Sequence, residues 1–375
     1  MRCTSRKQWV GVLTLSAAVL VALMVQTAQA ESDLTKEGLT KGEVKLSSAG
    51  PLAFGPDGIL FVGDPMSAVV YAIATGETEG NPAEKDYNLE NIDAALAAAL
   101  GVTPQEVLIN DLAVNPASGN AYLSVSRGTG PDGATVLLRV EPSGEIAEID
   151  LTNVEHARAE LPNAPENEGQ GRQNRRTMAI TDLKYVDGRV IVAGLSNEEF
   201  ASTLRSIPYP FSDVDQGAGV EIFHGAHGRF ETSSPVRTFA SYVLGDEPQI
   251  LAAYTCTPLV KFPLKQLTPG AKVRGVTVAE LGNRNQPLDM FVYTKDGEDF
   301  ILMANSRRGV MKISTEGLEG AEGIEKRIED TAGQDYVTVE GWTNVMQLDR
   351  LNDEQALILS QTEAGSWNLF SAPLP

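Results

Sequence analysis

Histidine, cysteine and positive charge are all scarce in this chain of 375 residues, and each shortage closes off some chemistry. The two cysteines, Cys3 and Cys256, are too few for a disulfide framework. No C-x-x-C-H or C-x-x-C pattern occurs, which excludes covalent c-type haem. Lys and Arg number 30 against 50 Asp and Glu, a formal net charge of −20. Such a chain has no concentrated basic surface for nucleic acid or anionic lipid. No nucleophile elbow, P-loop, dinucleotide fingerprint or zinc-protease motif follows the first thirty residues. Beyond them the apolar runs are strand-sized and broken by Gly, Asp or Pro, too short to span a membrane.

The first thirty residues differ from the rest. Arg2, Arg6 and Lys7 precede an apolar run from Trp9 to Val25, and Ala28-Gln29-Ala30 stands just before Glu31. This tripartite pattern predicts a cleaved secretory signal over residues 1–30. Residues 31–375 are then one exported domain, periplasmic or secreted, with no membrane span after cleavage. Cys256 is left as the single thiol, either buried as a small hydrophobe or exposed for ligation, redox or pairing with another chain.

That domain repeats a strand–turn–strand unit six times. The units are GPLAFGPDGILFVGD from Gly50, DLAVNPASGNAYLSV from Asp111, DLKYVDGRVIVAGL from Asp182, VRTFASYVLGDEPQILAAYT from Val236, LDMFVYTKDGEDFILMAN from Leu288 and TNVMQLDRLNDEQALILSQ from Thr343. Apolar alternation on either side of Asp-Gly or Pro-Asp-Gly turns marks paired strands. Six such units predict an all-β, six-bladed β-propeller. Only three strands are evident in the last unit, so EVKLSS from Glu43 is expected to supply its outer strand and close the ring.

Two segments interrupt the pattern. NLENIDAALAAAL, from Asn88 to Leu100, spaces Ile92, Leu96 and Leu100 by four and ends at Gly101, predicting a short helix inserted in the first blade. Thr103-Pro104-Gln105-Glu106 reads as a capping box opening one further turn. The stretch from Glu155 to Arg176 reads as a long surface loop, either a mobile excursion or a contact site carrying Arg172, Arg175 and Arg176.

Aligning the units puts Pro51, Asp111, Asp182, Thr238, Asp289 and Asn344 at the starts of the innermost strands, converging on one mouth of the channel. Asp111, Asp182, Asp289 and Asn344 offer oxygen ligands suited to a hard cation such as calcium. The competing reading makes each Asp a turn residue that caps its own backbone. HGAHGRFET, which holds His224, His227, Arg229 and Glu231, is expected at the same end. Its H-x-x-H spacing admits a metal pair with Cys256 or Asp289, and His227 is the candidate general base. Asn283, Arg284 and Asn285, just before Asp289, and Asn305 with Arg307 and Arg308 in a neighbouring turn, form a candidate polar rim for ligand. Arg284 either clamps an anion or neutralises Asp289.

The unit LAFGPDGILFVGD resembles the inner-strand hairpins of NHL-type and gluconolactonase-like six-bladed propellers. The lactonase-like resemblance implies a divalent cation, commonly calcium, held by acidic and amide residues at the inner-strand starts. Asp111, Asp182, Asp289 and Asn344 match those positions, while Pro51 stands where a glutamate is expected. Beside redox or copper chemistry through His224, His227 and Cys256, two functions remain open on the sequence. One is an exported propeller binding a small ligand or protein at its polar channel face, and the other is a calcium-dependent lactonase or esterase.

Overall fold

Asp-Gly pairs with alternating apolar residues on both sides form the tightest hairpins of the fold. Asp187-Gly188 and Asp296-Gly297 both take positive φ (47° and 74°, 53° and 84°), as a two-residue turn matched to strand twist requires. The computed structural model describes residues 38–48, 50–128, 133–169, 174–212, 214–256 and 258–375. The predicted signal lies outside the described residues. None of the described helices is long and apolar enough to cross a membrane.

Six sheets surround a channel, antiparallel except where Lys272–Arg274 pairs parallel with Ala218–His224. In chain order their inner strands are Leu52–Phe54, Val107–Val114, Asp182–Val186, Val236–Leu244, Pro287–Lys295 and Val345–Arg350. We number the blades one to six in that order. Every interface between blades is filled by its own apolar cluster, and these clusters fix the ring order. Blade one packs against blade two through Leu60, Val62 and Tyr122, and against blade three through Phe61, Val70 and Val192. Blade two packs against blade six through Leu123, Leu138 and Leu359. Blades three with four, four with five, and five with six complete the circle. The order around the channel is therefore one, three, four, five, six, two.

This order departs from a simple succession of blades. The chain lays down three strands of blade one, ending with Val69–Ala74, and then crosses to the far edge of blade six. There Asn88–Leu89 pairs with Trp367–Pro373 as the outer strand. After the whole of blade two, the chain returns with Val154–Glu160 to complete blade one. The expected closure by EVKLSS is thus corrected. Thr40–Gly42 pairs with Val154–Glu160 on blade one, and Asn88–Leu89 closes blade six. The expected loop from Glu155 likewise begins as a strand. Arg176 farther on donates to the carbonyls of Met66, Ser67 and Pro165, while Arg172 lies outside the described residues.

The inserted helix runs over Ile92–Leu100, shorter at its start than predicted because Asn88 and Leu89 are taken by the sheet. Ile92, Leu96 and Leu100 are buried as their spacing requires, and Gly101 ends the helix at φ 68°. The helix wedges between blades two and six, where the Trp367 amide donates to Asp93 at 3.0 Å. Pro104–Glu106 forms the predicted single turn, with the Thr103 amide donating to Glu106 at 2.9 Å.

Candidate functional site

Four inner strands carry a β-bulge immediately before Asp111, Thr238, Asp289 or Gln347. A bulge re-aims the residue that follows it, and these residues line one mouth of the channel. With Pro51 and Asp182 they form a first layer around a cavity of about 440 Å³. Strand alternation brings the residue two further along to the same channel. A second layer therefore contains Lys184 and Asp349, which line a separate cavity of about 320 Å³ on the opposite side.

Each carboxylate of the ring is tied to the backbone twice over. Asp182 accepts the amide of Leu183 at 2.7 Å and that of Phe239, on blade four, at 2.9 Å. Asp289 accepts Met290 at 2.8 Å and Leu348, on blade six, at 3.2 Å. Asp349 accepts Arg350 and, on blade two, Val114, both at 2.7 Å. Asp111 accepts Leu52 of blade one at 2.6 Å and the backbone amide of Leu112. All four reach to the next blade in the same rotational sense, which pins neighbouring inner strands together. Capping of the aspartate's own backbone, one of the two sequence readings, is present together with this cross-blade bond.

Lys184 sits among these carboxylates, its Nζ 3.8 Å from Asp182 and 4.0 Å from Asp289. Burial pushes the pKa of every ring carboxyl up, most strongly at Asp289; at Asp111 it reaches about 7. Burial alone would lower Lys184, but attraction to Asp182, Asp289, Asp349 and Asp111 outweighs it and raises the ammonium pKa. The ring is thus a cross-blade clamp with an internal cation.

Of the residues expected to hold calcium, Asp111, Asp182 and Asp289 share the first-layer cavity. Asn344 does not join them: it is exposed and lies just before the inner strand, at φ 51°. Gln347 takes the corresponding position, because the bulge between Val345 and Gln347 shifts the register. The expected ligand residues lie away from the cavity. Asn305 donates to Asn285 at 3.3 Å and caps the amides of Arg307 and Arg308 at 3.1 Å. Asn283 donates to the carbonyl of Glu329. Arg284 and Arg307 are exposed, and the cation beside Asp289 is Lys184 rather than Arg284.

Four channel residues, Lys184, Arg237, Gln347 and Asp349, were not candidates on the sequence. Arg237 reaches the same cavity, with Nε 3.2 Å from the Gln286 side-chain oxygen in the amide orientation that gives both groups partners. Burial lowers its pKa, and no carboxylate pairs with it among the described residues. Alternation along the inner strands, from Asp182 to Lys184 and from Gln347 to Asp349, is the sequence signal for the second layer. No such signal marks Arg237, which precedes Thr238 within a bulge.

The histidine loop lies on the blade-three edge, outside the channel cavity. His224 ends the outer strand Ala218–His224, and the chain turns back into Arg229–Glu231. His227 Nδ1 lies 2.7 Å and His224 Nδ1 3.1 Å from the two oxygens of Glu231. Cys256 and Asp289 are not part of this group.

No protein-family model matches the chain, and no curated protein matches it. Among solved structures it is similar to Drosophila Semaphorin 1b, extracellular domains 1–2. That match has 12% identity and a TM-score of 0.36, and covers 90% of this chain and 87% of the other. Drosophila Plexin A in complex with Semaphorin 1b gives 11% identity and a TM-score of 0.40 over 90% and 87% of the two chains. An engineered GH43 glycoside hydrolase gives 11% identity and a TM-score of 0.35 over 72% and 52%. Likeness at this level carries no inference about what the chain binds or turns over. The six-bladed all-β fold itself is read from the sheet pairing.

Proposed function

We propose that this propeller is a binding module that takes a small, polar, carboxylate-bearing molecule at the first-layer mouth of its channel. The observation that carries the reading is Arg237, a guanidinium that lines a cavity of about 440 Å³ and bonds the Gln286 amide oxygen, with no carboxylate paired to it among the described residues. Such a fork matches a carboxylate in two parallel hydrogen bonds. Asn110, Gln347 and the carboxyls of Asp111 and Asp289 face the same space and offer partners for hydroxyl or amino groups on the rest of the ligand. The cavity has the volume of a small-molecule site, which favours that ligand class over a protein partner.

The test is calorimetry with a panel of hydroxy acids, amino acids and uronic acids beside their neutral counterparts. Binding of acids alone, lost in Arg237→Met, is the expected result; equal binding of neutral analogues, or none of either class, overturns it.

A calcium-dependent lactonase is a second reading, favoured by the presence of Asp111, Asp182 and Asp289 in one cavity. There an ion would compete with Lys184 for the same oxygens, and His227 lies away from the mouth. Calcium retained after dialysis and lost in Asp111→Ala with Asp289→Ala would favour this reading over the first.

A further inference from the structure

We propose that His224, His227 and Glu231 form a binding site for a divalent transition-metal ion of the zinc type, on the rim between blades three and four. One nitrogen from each histidine and one oxygen of Glu231 lie within 4.8 Å of one another, the only such group among the described residues. The hairpin builds this arrangement. Pairing of Ile222 with Glu231 and of His224 with Arg229 puts His224 and Glu231 on one face as diagonal neighbours. The turn between the strands, closed by the amides of His227 and Gly228 on the His224 carbonyl (3.1 and 2.8 Å), folds His227 over them. The two imidazole rings stand 4.0 Å apart between centroids.

The donor set decides the class of ion. Two imidazoles and one carboxylate suit zinc and its first-row neighbours, whereas calcium requires six to eight oxygens. His224 is 3% exposed, and its Nε2 is a buried ring nitrogen with no hydrogen-bond partner, so the group has unspent donor capacity. Ser234 Oγ donates to Glu231 at 2.7 Å and orients the carboxylate from outside, as second-shell partners do.

One feature opposes a cation. Arg229 donates to Glu231 at 3.1 Å, but its side chain is 72% exposed and can swing into solvent. Glu280 accepts the Gly225 amide on the blade-four side and anchors the turn. His227 is 49% exposed, so the outer side of the ion would stay open to water or a fourth ligand.

The experiment is zinc titration of the intact protein by calorimetry, repeated with cobalt to record visible absorption of the bound ion. One equivalent of zinc, cobalt bands of a nitrogen–oxygen site, and at least about a tenfold loss of affinity in His227→Ala are expected. His227 stands on an exposed turn, so that variant should fold; Glu231→Gln, which keeps the shape and removes the charge, should weaken binding as well. Zinc that does not bind, or that binds both variants as tightly as the wild type, overturns the proposal. Asp289→Asn serves as a control, since loss of zinc there would move the ion to the channel and equally refute the rim site.

Discussion

Replacing Lys184 with methionine removes the ammonium beside Asp182 and Asp289 while leaving a stem of similar length to pack in the channel. Asp182 and Asp289 are buried, and Lys184 is the charge nearest both. Breaking a buried pair by deleting one partner costs about 3–5 kcal/mol. The Lys184 side chain is 30% exposed toward the lower cavity, so water there screens it and the loss should fall near the low end, about 3 kcal/mol at about pH 8. Protonation of the ring offers relief. The folded-state pKa values of these carboxyls stand above the unfolded ones, so the stability they contribute is complete below about pH 4 and is lost as pH rises through the folded values. For Asp111, moving from 3.8 to about 7 corresponds to roughly 4 kcal/mol at most. Without Lys184 the values rise further. The variant's deficit should therefore be smaller near pH 5, below the folded value of about 7 at Asp111, than at about pH 8. Urea unfolding of both proteins at the two pH values measures this directly. An equal deficit at both, or none at about pH 8, would refute a ring held together by an internal cation.

Two other perturbations separate charge from geometry and test the ring closure. Asp289→Asn keeps an oxygen for the Met290 or Leu348 amide and removes a penalised charge, so it should be neutral or stabilising at about pH 8, whereas Asp289→Ala leaves two buried amides unpaired and should cost about 1–3 kcal/mol by chemical denaturation. Leu96→Ala should cost about 2–5 kcal/mol, because Leu96 is fully buried between blades two and six; a loss under about 1 kcal/mol would mean that the helix is peripheral rather than part of the closure.

Legibility in the sequence followed the range of the interactions. Asp187-Gly188 and Asp296-Gly297 announce their hairpins because the turn geometry is a local demand on φ, and blade count follows from counting such units. The ring order is different. It depends on Val154–Glu160 finding Val69–Ala74 across the whole of blade two, and on the two residues Asn88–Leu89 finding Trp367–Pro373 near the other end of the chain. A two-residue strand has no period to detect, and a helical signal that begins beside it absorbs it. The channel shows the same division. Asp111, Asp182 and Asp289 are legible because each opens an apolar run, whereas the pattern points to Asn344 in place of Gln347 because a bulge adds a residue that no pattern counts. Lys184 could have been found by stepping two residues from Asp182. That step changes the chemistry: a ring of carboxylates alone invites a metal ion, while the same ring around an ammonium is already largely compensated. The neighbour one strand-period away therefore bears on the function as much as the conspicuous aspartates do.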